Sequence, residues 1–218
     1  MSSSPIDVLI QSVPLLMKGL LHTILIAVYS LVISTVGGVV FGVIRTIRVK
    51  WVRFISRTYV EIFRAIPVLV TMFFFFFGLP IFFGMDVPSK VAAVTALSLW
   101  GIAEIGEIAR GALQSLPKGQ EEAGKSLGMT MRQIYQYILV PQAVRRMIPP
   151  TMNMYTRIIK TTSISVLIGV TEVMKVGQDI TQRTGQPIII YGMILVFYFL
   201  LCYPLSEWSR RLEVKRTY

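Results

Sequence analysis

Residues 119–126 read GQEEAGKS, which is Gly-x-x-x-x-Gly-Lys-Ser, the spacing of a loop that cradles the phosphates of ATP. In such a loop backbone N–H groups surround the phosphates, the lysine reaches the outer ones and the hydroxyl meets magnesium. The chemistry needs a strand leading into the loop and a helix leaving it. Here the stretch follows an apolar run and SLPK, with no strand-forming segment nearby. Glu121 and Glu122 would also set two anions beside the phosphates. The pattern is therefore read as a coincidence, and no cofactor is expected on this chain. Two further chemistry-bearing residues stand alone: His22 has no ligand-spaced partners for a metal, and Cys202, inside an apolar run, is expected to be a buried thiol.

The elements that carry these residues follow from composition. Of 218 residues, 54% are hydrophobic and 15% charged, with a mean hydropathy of +0.65. Soluble domains carry about 25% charged residues. Several apolar runs approach the roughly 20 residues needed to cross a bilayer as a helix. The fold class is an all-α polytopic membrane protein with no room for a separate soluble domain. Five spans are expected, at 20–44, 58–83 (bent at Pro67), 88–112, 148–171 and 187–207. Before them lies an outer segment, 1–19. Between spans three and four lies a long connection, 113–147, and a tail follows at 208–218. The N-terminus, MSSSPIDVLIQSVP, lacks the pattern of a cleaved secretory signal.

The net charge of +11 is distributed in blocks. One holds Arg45, Arg48, Lys50, Arg53 and Arg57; a second runs from Arg110 to Lys160; the third is Arg210, Arg211, Lys215 and Arg216. Cations gathered in alternate connections mark the cytoplasmic side, so the N-terminus is expected outside and the C-terminus inside. No base-reading or stacking platform separates the blocks, which excludes nucleic acid as a partner. Ser34, Gly38 and Gly42, four apart, are expected to form a helix-packing face in the first span.

The long connection predicts a short helix from Glu121, a turn at Gly128, and a second helix interrupted at Pro141. Glu122, Ala123, Gly128, Ile138 and Pro141 resemble the E-A-A-x3-G-x9-I-x-L-P loop of binding-protein-dependent ABC-transporter permeases. Gly124 replaces the second alanine and Val140 the leucine. EIARGALQSLPKGQEEAGKSLG (107–128), VPQAVRRMIPP (140–150), KTTSISVLIGVTEV (160–173) and VEIFRAIPVLV (60–70) are similar to the polar amino acid permease family. The likeness covers about 60–178.

That resemblance implies a permease subunit of an ATP-driven importer for polar amino acids in the bacterial cytoplasmic (inner) membrane. It implies a second permease copy or a related permease, an extracytoplasmic solute-binding protein, and a separate ATPase subunit holding ATP and magnesium. The coupling helix that seats on the ATPase would use Glu121, Glu122, Ala123, Gly124, Gly128 and Met129. The rival readings are an ATP-independent channel or carrier, which leaves residues 121–146 without a role, and a membrane enzyme, for which catalytic clusters are missing.

Ionisable groups inside a membrane are costly and so are functional candidates. Glu104 and Glu107 are three apart on one helical face, with Arg110 three further on. Glu107 and Arg110 are expected to pair. Relatives usually have tyrosine where Glu104 stands. Glu104 is expected to accept a substrate ammonium or cationic side chain, or to pair with Lys160 or Arg157. Asn153, Thr161, Thr162 and Ser163 lie near a possible helix break and offer an amide and hydroxyls to an amino acid, or to a neighbouring helix. Relatives read K-[DN]-T-S at 160–163, so Thr161 departs. Glu172, Gln178 and Asp179 are expected on the outer side, in a solvated loop or against the solute-binding protein.

Overall fold

The computed structural model describes residues 5–47 and 49–214. Arg48, Lys215 and Arg216 of the basic blocks lie outside the described residues. α1 (Pro5–Ile44) is one helix of 40 residues, about 60 Å long at 1.5 Å per residue. It begins fifteen residues ahead of the expected span, so the stretch read as an outer segment is helical from Pro5 onward. α2 (Lys50–Ala65) follows, then α3 (Val68–Phe73), a π-helical turn at Phe74–Gly78, and α4 (Leu79–Phe83). A single bent span was expected over 58–83. Instead the axis turns by 101° between α2 and the α3–α4 unit. Pro67 has no N–H to continue the ladder and pushes Ile66 into an extended conformation, φ −81° and ψ 129°.

Pro88 precedes α5 (Ser89–Gln114), and Pro117 precedes α6 (Lys118–Ser126). α7 (Met131–Gln133) opens with a capping box, in which the Thr130 hydroxyl accepts from the Gln133 N–H and the Gln133 amide oxygen accepts from the Thr130 N–H. A π-helical turn at Ile134–Leu139 joins it to α8 (Val140–Thr161). A 3-10 segment, Thr162–Ile168, ends at Gly169 with φ +76°. α9 (Val173–Thr184) and α10 (Pro187–Val214) complete the chain.

Among the described residues three helices are long and apolar enough to cross a bilayer, Asp7–Ile44, Ser89–Gln114 and Pro187–Leu212; the bent α2/α3–α4 pair passes the same test only when its two halves are taken together as one span. The span expected at 148–171 is not among them. Its helix starts earlier, at Val140, bears Arg145, Arg146, Arg157 and Lys160, and gives way to the 3-10 segment.

α1 and α5 form the central seam. A Cβ on Gly38 would sit 2.7 Å from the Ile105 Cβ, and one on Gly42 would sit 2.5 Å from the Ala109 Cβ and 2.8 Å from the Gly106 carbonyl oxygen. Small residues there allow backbone approach, the packing role expected of Ser34, Gly38 and Gly42. Around this seam Ile26, Met72, Leu97, Ile105, Met154 and Ile158 form the main buried cluster, drawn from α1, α3, α5 and α8. Phe73, Phe75 and Phe76 pack on it, while Phe74 and Phe77 are half exposed. Gly42→Val is expected to destabilise the chain by about 2–3 kcal/mol through overpacking, read as a lowered thermal midpoint in detergent. Gly111→Ala, at a site with open space, should cause no loss.

Candidate coupling surface and polar sites of the bundle

The 113–147 connection folds back on itself. Gly124 is the buried residue of α6, and a Cβ there would lie 2.7 Å from Ile134 Cγ1 and 3.4 Å from Ile138 Cδ1. The glycine lets α6 lie directly on the turn of helix that follows it. Gly128 adopts φ +74°; its N–H donates to the Lys125 carbonyl at 2.9 Å, and the Met129 N–H donates to the Gly124 carbonyl at 3.1 Å. Only glycine takes that left-handed conformation at little cost. Met129 packs into an apolar platform of Ala112, Leu116, Ile134, Leu139 and Ala143. Glu122 and Ala123 of α6, and Leu127 at its C-terminal cap, are exposed to solvent. Glu121 accepts an ion pair from Lys125 at 2.6 Å. Residues 118–126 are therefore helical, not wrapped as a phosphate loop, and the lysine of the motif is turned to a carboxylate on its own helix.

Above α6 lies a polar cluster. Glu107 pairs with Arg110, as expected, and also with Arg45 from the end of α1. The sequence signalled Arg45 only as a member of a basic block. These groups line a partly open cavity of about 740 Å³ between α2, α5 and the α6–π-turn unit.

Glu104 lies on α5 one turn beyond Trp100, and its side chain is 15% exposed. Its carboxylate meets Arg64 Nε at 3.4 Å. The partner is thus a cation from α2, neither Lys160 nor Arg157. Arg157 instead stands over the Trp100 ring, 5.2 Å from its centroid, a cation–π arrangement. Arg64 was legible only as part of a family-like stretch ahead of Pro67; nothing in spacing linked it to Glu104.

Asn153 is exposed on α8. The hydroxyls at the end of α8 are satisfied within their own helix: Thr161 donates to the Arg157 carbonyl at 2.7 Å, Thr162 to Ile159 at 2.8 Å and Ser163 to Lys160 at 2.7 Å. Such back-bonding accompanies the tightening into the 3-10 segment. Thr162 is buried and lies 3.5 Å from the Tyr198 hydroxyl of α10, a helix–helix contact. No hydrogen bond or ion pair joins Glu104 to Asn153 or to the three hydroxyls.

Glu172 departs from the solvated-loop reading. It is 0% exposed and caps α9 by accepting from the Lys175 N–H at 3.0 Å. It also accepts from the Thr23 hydroxyl at 3.3 Å, and Thr23 in turn accepts from the Val173 N–H at 3.2 Å. The carboxylate ties α9 to α1. Asp179 pairs with Lys175 at 2.9 Å. Cys202 is buried as expected, and the His22 ring lies 3.4 Å from Lys90 Nζ.

Residues 34–217 match the family described as binding-protein-dependent transport system inner membrane component. The chain is 35% identical over 205 residues to the probable glutamine ABC transporter permease protein GlnP of Bacillus subtilis (strain 168), covering 93% of this chain and 94% of that one. It is 34% identical over 203 residues to the glutamine transport system permease protein GlnP of Escherichia coli (strain K12), with 93% of each covered. A crystal structure of an amino acid ABC transporter with histidines superposes with a TM-score of 0.90 at 26% identity, over 99% of this chain and 100% of that one. The MetNI methionine ABC transporter shares the fold, with a TM-score of 0.67 at 20% identity, over 97% of each.

Proposed function

Because the chain belongs to the binding-protein-dependent transport system inner membrane component family, we infer that it is the transmembrane permease subunit of an ATP-binding-cassette importer for polar amino acids. The observation that carries the mechanism is α6, seated on Ile134 through Gly124 and offering Glu122, Ala123 and Leu127 outward. A helix fixed on one face and open on the other suits a lever that seats on a separate ATPase subunit. ATP and magnesium belong to that subunit, and this chain carries no cofactor. The second permease, a further copy or a relative, completes the pathway, and a solute-binding protein delivers substrate on the outer face.

The alternating basic blocks support five crossings with the N-terminus outside: α1, α3–α4, α5, α8 with its 3-10 segment, and α10. α2 then lies along the inner surface and α9 along the outer one. Closure of the ATPase pair on ATP moves α6, and the Gly124–Ile134 seat passes that motion to α8 through the π-helical turn. The bundle exchanges inward and outward states, each ligand acting through its differential affinity. Glu104, with Asn153, Thr161, Thr162 and Ser163, are the candidate substrate contacts. An ATP-independent channel or carrier would leave the outward face of α6 without a partner.

Purification from native bacterial inner membrane is expected to bring an ATPase subunit with the chain, and uptake is expected to require ATP. Transport retained in preparations that reproducibly lack any ATPase would reverse the reading.

A further inference from the structure

α2 has two opposed faces. Arg53, Ser56, Arg57, Val60, Glu61 and Arg64 recur at helical spacing and line the cavity of about 740 Å³. Trp51, Phe54 and Ile55 fall on the other side and are 76%, 66% and 65% exposed. A helix with cations on one face and tryptophan and phenylalanine on the other lies in the plane of a membrane interface, its apolar side among acyl chains. Its polar side then stands at the depth of the lipid headgroups.

The cavity behind that polar side is unbalanced in charge. It is lined by six cations, Arg45, Arg53, Arg57, Arg64, Arg110 and Lys118, and three carboxylates, Glu61, Glu107 and Glu121. Arg57 holds Glu61 at 2.7 Å, Arg45 and Arg110 share Glu107, and Lys125, from outside the lining, holds Glu121. Among the described residues Arg53 and Lys118 have no carboxylate partner. Cations drawn together in a partly enclosed space repel one another unless an anion joins them. Basic pockets between helices on the cytoplasmic side take phospholipid headgroups.

We propose that this cavity binds the headgroup of an anionic phospholipid of the inner leaflet, with Arg53 and Arg57 as its main contacts and the acyl chains passing beside α2 into the bilayer. Charge complementarity selects an anion. The adjoining apolar face of α2, which sets the cavity at headgroup depth, selects a lipid over an acidic protein segment. The inner-leaflet placement rests on the orientation proposed above; Arg53 and Arg57 themselves are neither candidate substrate contacts nor residues of α6, so the test reads lipid binding and does not use transport.

The full chain, purified with whatever subunits accompany it, is titrated with short-chain phosphatidylglycerol, phosphatidylcholine of the same chains, and inorganic phosphate, and bound lipid is counted by mass spectrometry. Phosphatidylglycerol is expected to bind, with phosphatidylcholine and phosphate far weaker. About 1 kcal/mol per cation near an anionic surface is roughly a fivefold effect. The Arg53→Gln/Arg57→Gln pair should therefore weaken phosphatidylglycerol binding by more than tenfold, while Arg53→Lys/Arg57→Lys retains most of it. Equal binding of the two phospholipids, or phosphate binding as tightly as phosphatidylglycerol, overturns the proposal. So does unchanged lipid binding in the glutamine pair accompanied by loss of a co-purifying protein, which reassigns the cavity to protein docking.

Discussion

The Gly124→Val variant is expected to take up substrate at least tenfold more slowly with ATP present, while still inserting into the membrane. The cause is local and steric. The first atom added at this position falls 2.7 Å from Ile134 Cγ1, and Ile134 is itself fully buried within the platform of Ala112, Leu116, Leu139 and Ala143. Neither side can yield easily, because a packed interior has little free volume. Overpacking of this kind costs about 1–3 kcal/mol. The cheapest relief is for α6, only 9 residues long, to lift from its seat. A shift of about 1.4 kcal/mol in that docking equilibrium is a tenfold loss of the competent arrangement. The three atoms nearest the added one belong to Ile134 and Ile138, so the strain falls on the connection, and the membrane helices are expected to remain as they were. Uptake is measured in proteoliposomes holding the complete importer, with ATP hydrolysis followed in parallel. Gly119→Ala, on the same helix but facing open space, serves as the control and should transport normally. Normal uptake by the Gly124→Val variant would remove α6 as the lever.

What was readable beforehand divides along physical lines. The class of protein was visible because apolar runs near the thickness of a bilayer and cations concentrated in alternate connections are one-dimensional signals. α6, its turn at Gly128 and the packing face of Ser34, Gly38 and Gly42 were legible for a related reason: each depends on residues within a few positions of one another. The break at Pro67 was visible as a bend, but its size was not. Whether a proline kinks a helix or turns it by 101° depends on what each half can bury, and α2 is amphipathic where α3–α4 is apolar. The same limit applies to charge partners. Glu107–Arg110 is three residues apart and could be named, whereas Arg45–Glu107 and Arg64–Glu104 join distant parts of the chain and arise only once α1, α2 and α5 are packed. Glu172 is the sharpest case. In sequence it looks like an outer loop carboxylate, yet a threonine 149 positions away and the start of α9 enclose it.

Glu104→Gln is expected to lower uptake at least tenfold, chiefly through a raised KM, and removing Arg64 as well should not restore it. The pair as it stands is loosely made. The 3.4 Å contact engages one guanidinium nitrogen, and Arg64 remains 47% exposed while Glu104 is only 15% exposed. A carboxylate held in the bundle by a single long contact has capacity left to accept hydrogen bonds, and an α-amino acid brings an ammonium that supplies them. Hydrogen bonds to charged groups contribute about 1.5–3 kcal/mol, which corresponds to roughly ten- to 150-fold in affinity. The amide in Glu104→Gln keeps the shape and loses the charge. If the carboxylate served only to neutralise Arg64, each single variant would leave one charge without its partner, and the Arg64→Gln/Glu104→Gln double variant would recover transport. If the carboxylate holds the substrate ammonium, the double variant stays as impaired as Glu104→Gln alone. Non-recovery is the expected outcome, and it separates the two roles because the electrostatic strain inside the bundle is relieved in both cases while the contact to substrate is restored in neither.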